Sequence, residues 1–151
     1  MKIVINKILE KLDIKESAVF NIFEVTPSIE KAISLLKESN YTIVAQNIDS
    51  EEFIQLKISD ILYLEYLERQ IFLYTKNSTL ITKDSLSNFC KILPNEFVQI
   101  SKSTVVNSLY IKAFIAQKNG NLALEIVGNE KLIVSRRYAV YVKKTLQNIS
   151  N

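Results

Sequence analysis

The chain has 151 residues, 48% apolar and 23% charged, with a formal net charge of +3; this suits one domain, or one domain with an extension, that buries its own core. It holds no histidine, one cysteine and two glycines, which excludes His-based catalysis, a His- or Cys-rich zinc site, an intrachain disulfide and glycine-rich phosphate or dinucleotide loops. A binding protein is therefore favoured over an enzyme, with no metal and no cofactor expected.

Taken in chain order, residues 2–6 read as a short strand and residues 18–25 as another. Thr26-Pro27-Ser28 predicts a helix start, Thr26 as cap and Pro27 in the first turn. Ile29, Ile33 and Leu36 give that helix its buried stripe, with Leu35 on the flank. Ser39-Asn40 ends it, and residues 41–46 extend again. Asp49-Ser50-Glu51-Glu52 is the softest boundary. It divides a small α/β N-terminal extension, residues 1–52, from a domain over residues 53–151. The extension packs on that domain, mediates a homodimer or offers a dedicated partner site.

Residues 58–66 and 69–75 are rich in branched and aromatic side chains and predict two strands. Lys76-Asn77-Ser78 is a turn, and residues 79–82 return as a short strand. The period then becomes helical: Leu86, Phe89, Cys90 and Leu93 share a face, capped by Asp84 or Ser85 and stopped by Pro94-Asn95. Cys90 reads as a small buried hydrophobe. Residues 97–101 resume as a strand, and residues 111–117, 122–127 and 131–134 form a meander. Asn119-Gly120 signals a type I′ turn, and Gly128-Asn129 marks the next turn. Ser135, followed by Tyr138, Val142 and Leu146, predicts a capped helix with an apolar stripe. No signal segment and no apolar run of membrane-spanning length occurs, and with a lone cysteine this predicts a cytoplasmic protein.

The last helix raises a question of charge. Arg136 and Arg137 fall in its first turn, where the helix dipole is positive and carboxylates are favoured. The charge of the whole chain is also uneven: −2 over residues 1–57, −1 over residues 58–96 and +6 over residues 97–151. Either this is a solvated basic face or it is a surface for a polyanion, most naturally nucleic acid. Three basic features sit at strand ends: Glu68-Arg69, Ser101-Lys102-Ser103-Thr104 and Ser135-Arg136-Arg137. Arg and Lys suit phosphate, Arg also reads guanine edges bidentately, and Ser and Thr hydroxyls add phosphate hydrogen bonds.

ILYLEYLERQIFLYT at 61–75, FVQISKSTVVN at 97–107 and VSRRY at 134–138 together resemble the LytTR DNA-binding domain over residues 53–147. The resemblance implies a mainly β fold, α+β overall: elongated antiparallel β-sheets with short helices. It implies a sequence-specific transcriptional regulator whose loop side chains enter the major groove of promoter DNA at direct repeats, as a dimer on DNA. Carried over by position, Arg69, Lys102 and Arg137 are the base-reading residues, and Ser103 and Arg136 hold phosphate. Ser101 stands where histidine is often found, and Lys102 lacks the planar fork of arginine. Glu65 and Asn107 read as structural, a strand-end hydrogen bonder and a turn former. The extension is far too short for a receiver domain, so the chain resembles stand-alone LytTR regulators. Some of those are held inactive by a small membrane protein, which makes such an inhibitor a further expected partner.

A second reading is a β-rich protein-interaction or anion-sensing module whose basic face binds an acidic protein or small anion. An enzyme using Glu65 and Glu68 is disfavoured, because residues three apart in a strand point to opposite faces.

Overall fold

The structure is a computed structural model, and it describes residues 20–37 and 41–149. In chain order the elements are helix α1 (Pro27–Lys37) and strands β1 (Thr42–Asn47), β2 (Phe53–Lys57), β3 (Tyr63–Leu67), β4 (Gln70–Tyr74) and β5 (Thr79–Thr82). Helix α2 (Leu86–Cys90) follows, then β6 (Phe97–Gln99), β7 (Thr104–Asn107), β8 (Ile111–Ala116), β9 (Leu122–Ile126), β10 (Glu130–Val134) and helix α3 (Arg136–Ile149). Short 3-10 turns at Ile58–Asp60 and Ser108–Tyr110 lead into β3 and β8.

The strands form two antiparallel sheets. One has seven strands in the order β2-β1-β5-β4-β3-β7-β6, the other three in the order β10-β9-β8. The mainly β architecture expected from the sequence is therefore present. Strand β1 lies inside the large sheet, paired with β2 on one side and β5 on the other.

Alternation along the central strands explains the layering. Leu64 opposes Leu73 and Val105, and Leu73 opposes Leu80. This row is fully buried beneath α2, where Phe89 joins it with Ala45, Leu56, Ile61 and Ile71. One residue away, Tyr63 and Val106 turn to the other face. There they meet Leu122, Leu124, Ile126 and Val134 of the small sheet and Val142 and Leu146 of α3. Each fully buried Leu or Ile contributes about 1.5–3 kcal/mol of burial. The middle of the large sheet is thus covered twice, which is why these strands read as near-continuous apolar runs.

Polar groups join the two sheets between those layers. The rings of Tyr63 and Tyr74 stack at 4.3 Å. Tyr63 donates its hydroxyl to Glu130 Oε1, and Tyr74 donates to Glu65 Oε2 at 3.2 Å. Burial, reinforced by these carboxylates, pushes both phenols up, Tyr74 to about 12. Cys90 is half-buried, and burial raises its thiol as well.

Several local expectations are corrected. Residues 58–60 are a 3-10 turn, so β3 starts only at Tyr63. Strands β2 and β7 carry no clear sequence signal: β2 is a five-residue edge strand with Phe53 exposed, and β7 has four residues behind a polar turn. The expected strand over 18–25 is absent from its described part, 20–25, and the one over 2–6 lies outside the described residues. In α1, Ile29 is buried but Leu36 is 51% exposed, so the stripe is narrower than its spacing suggests; the Leu35 side chain lies outside the described set.

The β8–β9 turn is not type I′. Positive φ falls on Gly120 (86°) and not on Asn119. The Gly120 amide closes onto the Gln117 carbonyl at 3.1 Å; this is a three-residue loop ending in a left-handed glycine. The two-residue turn with positive φ at both positions is Glu68-Arg69, at 50° and 64°.

Candidate nucleic-acid interface

The three basic features meet at one end of the fold, and a chain of backbone hydrogen bonds holds them there. Strand β3 runs toward its turn at Glu68-Arg69, and antiparallel β7 leaves its own turn beside it, with Glu65 opposite Thr104. Beyond that pair the Tyr66 amide donates to the Ser103 carbonyl at 2.7 Å. The β6–β7 turn in turn meets the start of α3: the Ser135 amide donates to the Ile100 carbonyl at 3.0 Å. Arg69, Lys102 and Arg137 thus share one edge of the scaffold, and all three are exposed. Among the described residues none of their side chains has a hydrogen-bond or ion-pair partner.

Each turn is locally built. Leu67 pairs with Gln70, leaving Glu68 and Arg69 as the two-residue tip. Non-glycine residues seldom adopt such φ values, so the tip is strained. In the β6–β7 turn, the amides of Ile100 and Ser101 converge on the Thr104 carbonyl at 2.9 and 3.3 Å. The Ser101 hydroxyl accepts from the Ser103 amide at 3.2 Å. Ser101 therefore shapes the turn, while Lys102 sits exposed at its tip and Ser103 is half-buried.

At α3 the Ser135 carbonyl takes the first helical bonds, from Tyr138 at 2.8 Å and Ala139 at 3.1 Å. Its hydroxyl is not a helix cap, contrary to the sequence expectation; it donates to the Ile100 carbonyl at 3.4 Å. Arg136 points back to the β8–β9 turn and donates Nε–H to the Asn119 carbonyl at 3.0 Å. Arg137, next along the helix, keeps its guanidinium free in solvent among the described residues.

The structural reading of Asn107 is met, and that of Glu65 in part: it is a hydrogen bonder, but it lies in the middle of β3 and not at its end. Glu65 accepts from Tyr74. Asn107, 1% exposed, donates Nδ2–H to the Ile61 carbonyl and accepts from the Leu109 amide, both at 3.1 Å. Among the described residues no group of three or more Cys, Asp or Glu side chains could hold a metal ion, and no helix is long and apolar enough to cross a membrane.

The β8–β9 turn, Lys118 to Asn121, reaches the same end, because Val134 opposes Leu122 and Leu122 opposes Ala116. Sequence reasoning missed this fourth loop. Lys118 is one exposed cation beside a glycine, and only the fold of the small sheet brings it next to Arg136.

The chain is similar to known proteins in sequence and in fold. Residues 51–147 match the family model of the LytTr DNA-binding domain. An HTH-type transcriptional regulator of Staphylococcus aureus (strain NCTC 8325 / PS 47) is 31% identical over 119 residues, 79% of either chain. Its counterpart in strain MRSA252 is 30% identical over the same length. The solved LytTr DNA-binding domain of a methyl-accepting/DNA response regulator from Bacillus cereus superposes with a TM-score of 0.64 at 27% identity. That match covers 70% of this chain and 95% of the other. Despite the relatives' name, α2 and α3 are separated by β6 through β10, so no helix-turn-helix occurs among the described residues.

Proposed function

This chain belongs to the LytTR DNA-binding domain family, and from that premise we propose that it regulates transcription by gripping promoter DNA along the edge that carries Arg69, Lys102 and Arg137. The observation that carries the reading is the hydrogen-bonded succession of turns, Tyr66 to Ser103 and Ile100 to Ser135, which gives three exposed cations one common edge. Neighbouring strands lie about 4.8 Å apart and packed sheets about 10 Å, so the loop backbones along this edge span on the order of 10–20 Å. The long arginine side chains at its two ends extend that reach toward the ~34 Å turn of a duplex.

Arg69, Lys102 and Arg137 read base edges in successive major grooves, at promoter direct repeats. Ser103 and the terminal Nη groups of Arg136 hold phosphate. A phosphate there also answers the electrostatic problem of α3: two guanidinium groups at the positive end of a helix dipole are disfavoured until an anion joins them. DNA contact falls to residues 53–151. Residues 1–52 have a packing or dimerising role, to which β1 already contributes by completing the large sheet. A DNA partner places the protein in the cytoplasm. A homodimer on DNA and a small membrane-protein inhibitor remain parts of this proposal, and the function needs no catalytic group.

The test is a gel shift with the DNA upstream of the protein's own gene, repeated over a salt series. Tight binding whose logarithm falls linearly with log salt supports the reading. Salt-insensitive binding, or none to any duplex, favours the protein-interaction or anion-sensing module.

A further inference from the structure

Lys118 lies at the tip of the β8–β9 turn, and that tip is unusually well fixed for an exposed loop. The Gln117 amide donates to the Asn121 carbonyl at 2.9 Å, the Gly120 amide to Gln117 at 3.1 Å and the Asn121 amide to Asn119 Oδ1 at 3.0 Å. From outside, Arg136 clamps the tip through Nε–H to the Asn119 carbonyl at 3.0 Å. The fit is close. A Cβ on Gly120 would stand 3.1 Å from Arg136 Nε, in a backbone conformation, φ 86°, that side chains rarely adopt.

The charge around this clamp is one-sided. Residues 97–151 contain two carboxylates, Glu125 and Glu130. Glu130 opens β10 at the far end, bonded to Tyr63, and Glu125 sits inside β9 opposite Lys131. Neither reaches the end that holds Lys102, Lys118, Arg136 and Arg137. Among the described residues, Glu68 and Asp84 lie just beyond the ends of β3 and β5 at this end. An arginine that ties a lysine-bearing loop beside its own positive helix end adds repulsion, which a bound polyanion would reverse.

We infer that the β8–β9 tip is a fourth DNA-contacting loop, with Lys118 binding phosphate and Arg136 acting as the positioning residue that holds it in place. This rests on the DNA-binding reading above and extends it to a loop of the small sheet. The interface then crosses from one sheet to the other instead of ending at α3.

The test measures binding of the full chain to a fluorescein-labelled random-sequence duplex by anisotropy, at a series of salt concentrations. Lys118→Ala should weaken binding and flatten the slope of log affinity against log salt by about 0.9, the value of one lost phosphate contact. Lys112→Ala is the charge-matched control. That lysine sits at the opposite end of the same strand pair, bonded to Asn129 Oδ1 at 3.3 Å, and its loss should leave the slope unchanged. Arg136→Lys keeps the charge but lacks the Nε–H clamp, so removing Lys118 in that background should change the slope by clearly less than in wild type. Thermal melts of each variant separate loss of contact from loss of fold.

An unaltered slope in folded Lys118→Ala, or an equal flattening in Lys112→Ala, overturns the fourth loop and leaves the first three standing. A full-sized effect of Lys118 in the Arg136→Lys background overturns the positioning role. A wild-type chain that binds no duplex overturns the DNA reading itself, and this inference with it.

Discussion

The Tyr66 amide donates to the Ser103 carbonyl at 2.7 Å, one step beyond the last ladder pair of β3 and β7. That bond fixes the turn carrying Arg69 against the turn carrying Lys102. A base reader must be held in register with its neighbours, because a small misplacement forfeits bidentate geometry.

Arg137→Ala should cost on the order of 1–3 kcal/mol of affinity for the preferred site and relax base preference there. Selection of binding sites from a randomised duplex pool, run on both proteins, checks this. Equal affinity and equal selected sites would remove Arg137 from the interface.

Arg136→Ala should behave differently, weakening all sequences by a similar factor and reducing the salt dependence. Anisotropy titrations with a selected duplex and a random one, compared at several salt concentrations, distinguish the two arginines. A loss confined to the selected duplex would make Arg136 a base reader instead.

The Glu68-Arg69 turn holds two ordinary residues at φ 50° and 64°, where Asn-Gly is preferred. Replacing both, Glu68→Asn with Arg69→Gly, should raise stability by roughly 1 kcal/mol through relief of strain. The same change should weaken DNA binding, because Arg69 is gone. Urea denaturation and anisotropy on one preparation read both effects; unchanged stability would show that the turn carries no strain.

Asn107→Ala leaves the Ile61 carbonyl and the Leu109 amide without their partner. A loss of roughly 1–3 kcal/mol is expected from unmet buried hydrogen bonding. Urea denaturation measures it, and a change within error would mean that water replaces the amide at no cost.

The raised phenols of Tyr63 and Tyr74 predict an alkaline limit to stability. A group whose folded pKa lies above its unfolded value, about 10 for tyrosine, contributes fully below that value and loses the contribution as pH rises toward the folded one. For Tyr74 the window runs from about 10 to about 12. Stability should therefore be level in these groups through neutral pH and fall above pH about 10. In Tyr63→Phe with Tyr74→Phe the fall should be shallower. Denaturation midpoints across that range decide it; identical profiles would exclude the two tyrosines as its source.

Much of this molecule is legible along the chain. The meander, the short helix at Leu86 and the apolar stripe of Tyr138, Val142 and Leu146 follow from side-chain period alone, because a half-buried strand or helix must repeat its apolar face. The three basic strand-end features, and the family to which the chain belongs, are equally visible as local strings. Strands β2 and β7 escape although they are no shorter than other strands that are legible, because β2 follows an acidic stretch and leaves Phe53 exposed, and β7 directly follows a polar turn, so that pairing, and not a distinct apolar pattern, makes each a strand. The Asn119-Gly120 turn misleads because that dipeptide fits two hairpin geometries, and the strand register chooses between them.

The nearness of Lys118 to Arg136, the cross-sheet bond from Tyr63 to Glu130 and the common edge of Arg69, Lys102 and Arg137 belong to the tertiary structure. They join residues 18 to 68 positions apart. Local sequence encodes which backbone conformation each segment prefers. Which ends of the strands come together is settled only when two sheets bury their apolar faces against each other, since that burial fixes the register that every loop inherits.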